Sequence, residues 1–303
     1  MTRADPETRD RHGPGTYVPE RSPEGLQEGL PEGLPVTLLR RPAPPGLRRW
    51  YTEIIAYDER AGCPIRQIES ASLTVPLIVS LGEPFRIGLG RRPDRGDARP
   101  SFAAGLTTER VYIGSTGRAA CLQINLTPLG ARHVLGLPVA ALTGAMIPLE
   151  DCADREVLDF KRRIEDLTDW ERRLDLAEAF VWQRLVASKD GTPQVVHAYR
   201  RIVGSGGQAG IAAIGEEIGW SRKHLSQRFR DEIGLPPKTV ARIARFARAQ
   251  TLARFEAVPE WADIACDCGY ADQAHMIREF GAFAGLTPRA WRTSLDNFGI
   301  ATW

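Results

Sequence analysis

The stretch IAAIGEEIGWSRKHLSQRFRDEIGLPPKTV, Ile211 to Val240, is followed by a second stretch of the same construction, WADIACDCGYADQAHMIREFGAFAGLTPRAW, Trp261 to Trp291. Each contains a short apolar helix, a Gly-aromatic corner, a polar N-cap residue and a second helix. Each ends in Gly-Leu-(Pro/Thr)-Pro. A helix, a tight glycine turn and a second helix is the arrangement that places a recognition helix in a DNA major groove. Two such units in tandem, with starts about 51 residues apart, indicate DNA binding more strongly than one unit does.

The first unit shows how its sequence forms the corner. Ile211, Ile214 and Ile218 recur at helical spacing, and Gly219 supplies the left-handed residue that ends the helix. Ser221 is the predicted N-cap of the next helix. The residues Leu225, Phe229 and Ile233 follow at steps of four, which predicts one buried face.

The second unit repeats these features with different residues. Trp261, Ile264, Ala265 and Cys268 form the predicted apolar face of its first helix, and Gly269 ends that helix. Asp272 is the predicted N-cap of the next helix. Its buried step of four is Met276 and Phe280.

A connecting helix is predicted between the units, from Pro237 to about Phe255, with a length of roughly 28 Å. A rigid spacer of that length can hold two recognition helices about one DNA turn, ~34 Å, apart. Arg242, Arg245 and Arg248 recur at steps of three along one side of this helix. They either form salt bridges and a solvated face, or contact phosphate.

The sequence resembles the DNA-binding domain of the AraC/XylS family of bacterial transcription regulators from Gln194 to Arg292, about a third of the chain. The motifs that carry the resemblance are SRKHLSQRF with Gly234, the Arg-rich RIARFARA, and IACDCGYADQAHMIREF with GLTP. The resemblance implies a cupin-like effector or dimerisation domain in the N-terminal part. It also implies that paired helices after the barrel form a dimer contact.

The outward residues of the two recognition helices are the candidate DNA-binding residues. Arg can pair bidentately with guanine, and Gln with adenine, in the major groove. In the second helix Glu279 is acidic and Ala274 is small, which predicts weaker base reading there. The predicted DNA-binding residues are Arg222, Lys223, Ser226, Gln227, Arg230, Gln273, Ala274, His275 and Arg278.

The N-terminal part has a different pattern, in which short β-like runs without intervening helices predict an antiparallel barrel or sandwich. The predicted strands are Trp50–Tyr57, Pro64–Glu69, Leu77–Leu81, Phe85–Ile87, Arg110–Ser115 and Ala120–Leu126. The predicted helices that follow are Pro128–Leu135, Asp154–Leu167 and Trp170–Ala187, the last with Asp169 as its N-cap.

The predicted fold class is therefore α+β, a cupin-like antiparallel β-barrel or sandwich with trailing helices, then an all-α domain of about seven helices. Residues 1–35, rich in Pro, Gly, Glu and Arg, are predicted to be a disordered arm, or one that becomes ordered against a partner domain. Residues 36–187 form the predicted effector or dimerisation domain, with strands over 50–126 and helices over 128–187. Residues 188–193 form a linker, 194–292 the tandem helix-turn-helix domain and 293–303 a tail.

Charge and composition agree with this division. Residues 194–292 carry 14 Lys and Arg against 10 Asp and Glu, whereas residues 1–193 carry 26 against 27. The excess of positive charge thus lies on the part predicted to bind phosphate. The chain has no apolar run of the ~20 residues that a membrane span needs and no apolar signal segment, and its five cysteines make no disulfide framework. We therefore expect a cytoplasmic protein with no membrane contact.

Metal and catalytic sites are not predicted. The five histidines are His12, His133, His197, His224 and His275, and none lies in the predicted barrel, where a cupin metal site would need two or three. Cys266 and Cys268 are two residues apart on a helix, so they face different sides. No nucleophilic triad pattern is present, and residues 82–90 lack the spacing of a phosphate loop and predict a hairpin.

The sequence as a whole predicts a sequence-specific DNA-binding transcription regulator without a cofactor. Its predicted partners are promoter double-stranded DNA, RNA polymerase, a small-molecule effector and a second copy of the chain. The existence and identity of an effector, the effector-binding residues and the choice between activation and repression stay open, so a constitutive regulator without an effector also remains an alternative. Two other classes also stay open: a cupin-type enzyme with an accessory helical domain, and a DNA-repair methyl acceptor in which Cys63, Cys121 or Cys152 would be reactive.

Overall fold

A computed structural model describes residues 36–187, 191–254, 260–295 and 301–302. Among these residues, ten strands and four α-helices occupy the N-terminal part, seven further helices follow, and a short strand lies at residues 301–302. The predicted arm, residues 1–35, lies outside the described residues, as do parts of the predicted linker and tail. No helix in the described ranges has the length and apolar character that crossing a membrane requires.

The strands of the described residues form two antiparallel sheets. They are β1 (Val36–Pro42), β2 (Tyr51–Glu59), β3 (Arg66–Glu69), β4 (Val75–Ser80), β5 (Phe85–Leu89), β6 (Ala98–Arg99), β7 (Phe102–Ala104), β8 (Val111–Gly114), β9 (Ala120–Leu126), β10 (Met146–Pro148) and β11 (Ala301–Thr302). The larger sheet has the order β1-β2-β9-β4-β7-β10, and the smaller has the order β11-β3-β8-β5-β6. Within the described residues the two sheets do not close into one barrel.

The larger sheet is covered on both faces, as its central strand β9 shows. Leu122, Ile124 and Leu126 are fully buried in the main core, where the helices of the N-terminal part pack. Cys121 points to the opposite face and joins a second core with residues of the smaller sheet. Cys121 therefore does not share a face with Ile124 and Leu126, as expected from the alternation of side chains along a strand.

Four helices follow or interrupt the strands of the N-terminal part: α1 (Pro128–Leu135), α2 (Val139–Leu142), α3 (Arg155–Asp166) and α4 (Trp170–Ala187). The hydroxyl of Thr127 caps α1, and the carboxylate of Asp154 caps α3 by accepting from two backbone amides. Asp169 accepts from the amide of Arg172 at 2.8 Å, which confirms the predicted cap of α4. Phe160 of α3 stacks on Phe180 of α4, with 4.1 Å between the ring centroids.

Seven helices form the C-terminal part within the described residues, which confirms the predicted all-α architecture. They are α5 (Pro193–Gly204), α6 (Ile211–Glu217), α7 (Arg222–Ile233), α8 (Pro237–Ala253), α9 (Trp261–Asp267), α10 (Gln273–Phe283) and α11 (Pro288–Thr293). The connecting helix α8 has 17 residues, hence a length of about 26 Å. Its Phe246 packs edge-on against Phe280 of α10, with 4.9 Å between the centroids.

Six of the eleven described strands were predicted from the sequence, and five were not. Each of the six predicted strands coincides with an observed strand to within about two residues, and Ala120–Leu126 matches to the residue. Strands β1, β6, β7, β10 and β11 were not predicted, because most of them have too few residues to show alternation. The predicted hairpin over residues 82–90 is wrong, because β4 and β5 lie in different sheets and the chain crosses between them there.

Candidate nucleic-acid interface

The first helix-turn-helix unit is formed by α6 and α7, and its corner has the predicted geometry. Gly219 has φ +70°, a left-handed conformation that a side chain would strain. The hydroxyl of Ser221 accepts from the amide of His224, so Ser221 caps α7 as predicted. Leu225, Phe229 and Ile233 are fully buried, which orients the opposite face of α7 to the outside.

The predicted contact residues of α7 lie on that outer face. Arg222, Lys223, Gln227 and Arg230 are exposed, and Ser226 is half-buried. Within the described residues no carboxylate pairs with the three cations, whereas Gln227 donates to Asp231 at 3.0 Å. The positive charges are therefore available to a phosphate backbone or to guanine.

The first turn of α7 carries charges that do not suit a helix N-terminus. Arg222 and Lys223 occupy the first two helical positions, and the turn has no acidic residue. The partial positive charge of a helix N-terminus repels cations, by typically 0.3–1 kcal/mol at the surface. Two cations at this helix end therefore lower folding stability. Such a cost is expected where the cations bind an anionic ligand outside the protein.

The second unit, α9 and α10, has the same corner. Gly269 has φ +73°, and Asp272 caps α10 by accepting from the amide of His275 at 2.6 Å. Met276 and Phe280 are fully buried.

The outer face of α10 is less charged than that of α7. Gln273, Ala274 and Arg278 are exposed, and His275 is half-buried, in an edge-to-face contact with Tyr270 that has 5.3 Å between the ring centroids. Glu279, whose acidity predicted weaker base reading by this helix, points inward. It is 3% exposed and accepts a 2.6 Å hydrogen bond from Arg242. The face therefore presents one cation and no acid of its own.

The arginines of α8 mainly hold the two units together. Arg242 pairs with Glu279 of α10 and lies 5.0 Å from the Phe283 centroid. Arg245 donates to the carbonyl of Gly207 at 3.2 Å. These contacts favour the salt-bridge interpretation for Arg242 and an internal role for Arg245, whereas Arg248 is exposed.

Two further exposed cations follow the recognition helices and were not singled out from the sequence. Lys238 is the second residue of α8, and Arg289 is the second residue of α11. Both are exposed and have no carboxylate partner among the described residues. The repeat itself was the available signal, because Lys238 and Arg289 occupy equivalent places in GLPPK and GLTPR.

The C-terminal end of α7 is attached to the N-terminal part of the chain. The buried carboxylate of Glu232 accepts from Arg132 of α1 at 3.0 Å, from Arg228 at 2.5 Å and from the hydroxyl of Thr192 at 2.7 Å. One residue beyond the end of α7, the carbonyl of Gly234 accepts from Thr143 at 3.0 Å. The orientation of the first recognition helix therefore depends on contacts with α1 and with the residue that follows α2.

A cavity of about 440 Å³ lies between the two sheets, a size within the range of small-molecule sites. Its walls combine residues of both sheets with residues of the second helix-turn-helix region. Ala247 and Gln250 of α8 and Trp291 of α11 border it. Gln250 also donates to the hydroxyl of Ser70 at 3.2 Å, which joins α8 to the segment after β3. No effector residues were assigned from the sequence, because the strand registers that define this wall were unknown.

The cysteines divide into exposed and buried thiols. Cys63 and Cys266 are exposed, and Cys121, Cys152 and Cys268 are buried. Cys266 and Cys268 thus face different sides, as predicted. Burial raises the pKa of Cys121 to about 12 and also raises the pKa of Cys152. Across residues 36–187, 191–254, 260–295 and 301–302, no group of three or more His, Cys, Asp or Glu side chains is arranged to hold a metal ion.

Two corners of this kind, each with a capped recognition helix and an exposed outer face, define a DNA-binding protein of the helix-turn-helix class. A family model described as a helix-turn-helix domain, of the AraC type, matches residues 214–294 and so covers both recognition helices. Residues 214–294 accordingly form a helix-turn-helix domain of the AraC type.

Comparison with solved structures found similar regulators at low identity. The xylose-binding transcription activator XylR is 21% identical, with 36% of this chain and 29% of that chain covered and a TM-score of 0.30. This chain thus spans less than a third of the length of XylR. ToxT from Vibrio cholerae is 9% identical, with 85% and 96% covered and a TM-score of 0.41. The AraC-like transcriptional activator CuxR is 15% identical, with 71% and 82% covered and a TM-score of 0.32. A search of curated proteins found no match.

Proposed function

We propose that this regulator changes its promoter binding in response to a small molecule held between its two sheets. The observation that carries the proposal is the shared wall of the cavity. Because α8 and α11 border it, a ligand there contacts the sensing part and the second helix-turn-helix region at once. A ligand that binds one arrangement of these parts more tightly than another shifts the population toward it.

Base and phosphate contacts are assigned to the outer faces of the recognition helices. Arg222, Gln227 and Arg230 read base edges, and Lys223 and Ser226 contact the backbone or the bases beside them. On α10, Gln273 and Arg278 make the main contacts, with Ala274 and His275 lining the same face. Lys238 and Arg289 are added as phosphate contacts, supported by their exposure at equivalent places of the two units.

The roles proposed for the two parts of the chain follow the domain boundaries predicted from the sequence. Residues 36–187 would sense the effector and dimerise, and residues 194–292 would bind DNA with the recognition helices about one turn, ~34 Å, apart. The segment 188–193 would link them. Because this activity requires chromosomal DNA, we also propose a cytoplasmic location, with RNA polymerase as a partner at the promoter.

Catalysis is not part of the proposed function. A methyl acceptor needs a thiolate, and burial raises the pKa of two of the three candidate thiols, Cys121 and Cys152, which disfavours that form. The third candidate, Cys63, is exposed. A cupin-type metal enzyme would need two or three histidine ligands within the sheets, and the described lining of the cavity includes no histidine.

Selection of DNA from a random pool by the full chain tests the proposal. Two short motifs about one helical turn apart are expected, since both recognition helices would read sequence. A single motif would restrict base reading to one helix and contradict the assignments on the other. If a folded chain enriches no DNA sequence at low salt, promoter recognition is overturned and an enzymatic role is favoured.

A further inference from the structure

The cavity between the sheets has one polar end, and most of its charges are already paired within the protein. On the larger sheet, Glu53 accepts from Arg40 at 3.3 Å and from the amide of Asn125 at 3.1 Å. Gln123 donates to Asn125 at 2.7 Å and extends this chain of polar groups. Arg254 has protein partners as well, among them the Trp291 ring at 5.2 Å. Neither arginine therefore presents an unused charge to the cavity.

Glu69 is the exception, and the register of the smaller sheet shows where it points. Glu69 pairs with Val111, and Val111 pairs in turn with Leu89. Directly paired residues of antiparallel strands point to the same face. Val111 and Leu89 both line the cavity, so the Glu69 carboxylate lies on the inner face of the sheet among apolar side chains.

The carboxylate of Glu69 has no hydrogen-bond or ion-pair partner among the described residues. Its side chain is exposed to solvent and borders the cavity. Desolvation by the protein around it nevertheless raises the pKa of Glu69 above the ordinary value. A carboxylate on the cavity wall that has no partner among the described residues is available to a ligand cation.

The remainder of the cavity suits an apolar body attached to such a cation. Phe85, Ile87, Phe102 and Ile113 line the part farther along the sheets, and Trp291 lies on the wall formed by α11. Aromatic faces attract a cation through their quadrupole and also pack against hydrocarbon.

We propose that the cavity binds a small amphipathic amine, whose ammonium group pairs with Glu69 and whose apolar part lies between the two sheets. The proposal rests on the effector-responsive function proposed above and names its ligand class. Ser70, next to Glu69, accepts a hydrogen bond from Gln250 of α8. A ligand at Glu69 would therefore act directly on the contact between the smaller sheet and α8.

Three probes of eight carbons test the charge preference: octylamine, octanoate and octanol, each titrated by calorimetry into the full chain at pH 7. Octylamine is expected to bind tightest. In the Glu69→Gln variant its affinity falls by about tenfold or more, since the ammonium–carboxylate pair is lost, while octanol affinity is unchanged. Glu109→Gln, which removes an exposed acid outside the cavity, is the matched control and leaves all three affinities unchanged.

The outcomes separate this proposal from the proposed function. Tighter binding of octanoate, or an unchanged affinity for octylamine in the Glu69→Gln variant, overturns the amine proposal. Binding of octanol by the variant shows that the cavity is still folded, so a loss of amine affinity is then due to the missing charge. If none of the probes binds while the chain still selects DNA, the amine site is refuted and sequence-specific DNA binding is supported. Failure to select DNA refutes the regulator independently.

Discussion

Reversal of the charge at Arg222 should change stability and DNA binding in opposite directions. Arg222 is the first residue of α7, and its guanidinium has no carboxylate partner among the described residues. Glutamate at this position is favourable for a helix N-terminus, whereas arginine is unfavourable. On the outer face, the same change replaces a group that attracts phosphate or guanine by one that repels both.

The expected magnitudes follow from the position of the residue. Removal of one unfavourable charge and addition of one favourable charge, each worth about 0.3–1 kcal/mol near a helix end, should stabilise the chain by roughly 0.5–2 kcal/mol at low ionic strength. Loss of a base-edge contact costs about 1–3 kcal/mol of binding, hence about 5- to 150-fold in affinity, before repulsion is added. Arg222→Ala should show the binding loss on the selected site and a relaxed preference at the position it reads.

The assay compares thermal unfolding and fluorescence anisotropy on the selected DNA site for Arg222→Glu and for Arg95→Glu. Arg95 is exposed in the sheet region, so its reversal makes the same change in net charge outside the recognition helices. Lower stability of Arg222→Glu would refute the helix-end argument, and DNA binding equal to that of the control would refute the assignment of Arg222 to the interface. Equal losses of Arg222→Ala on all sequences would make the residue a phosphate contact instead.

Four further predictions can be tested on the same protein. Gln227→Ala should weaken binding to the selected site by about 1–3 kcal/mol and relax its specificity, as measured by anisotropy on mutated sites; unchanged specificity would exclude base reading. Phe229→Ala should cost about 3–5 kcal/mol, because a fully buried ring is removed, and hydrogen exchange of α7 should rise accordingly; a protected α7 would show that the ring is not part of its core. Cys121 and Cys152 should be alkylated slowly at neutral pH, since burial raises the pKa of both; fast methyl transfer to either would revive the repair hypothesis. Glu69 binds its proton more tightly when the chain is folded, so ligand-free stability should fall as pH rises above about 4.5 through the raised pKa; Glu69→Gln should remove that loss in denaturant titrations, and identical pH profiles would contradict it.

The helix-turn-helix region was predictable from sequence because its determinants are local. Gly219, Ser221 and Asp272 act on the residues beside them, and the buried steps of four along α7 and α10 repeat within a few turns. The caps, corners and inner faces of both units therefore agree with prediction. The contact residues on the outer faces have the predicted exposure in most cases, and their role in DNA binding stays a prediction.

Features that depend on distant parts of the chain could not be predicted in the same way. The acidity of Glu279 predicted weaker base reading by α10, but this residue pairs with Arg242 of α8 and is buried. The attachment of Glu232 to Arg132 joins residues 100 positions apart, and no local pattern marks it. The cavity depends on which strands pair, and the crossing at residues 82–90 shows that this order did not follow from the sequence of strands.

Under the proposed function, the shared wall of the cavity affects how this regulator could be recombined with others. Ala247, Gln250 and Trp291 belong to α8 and α11, so a sensing part cut at the proposed linker would be separated from part of its proposed binding site. Chimeras that exchange the two domains at residues 188–193 would combine the sheets of one protein with the cavity wall of another. Transfer of ligand specificity would then require the last turns of α8 and the tryptophan of α11 to be moved together with the sheets.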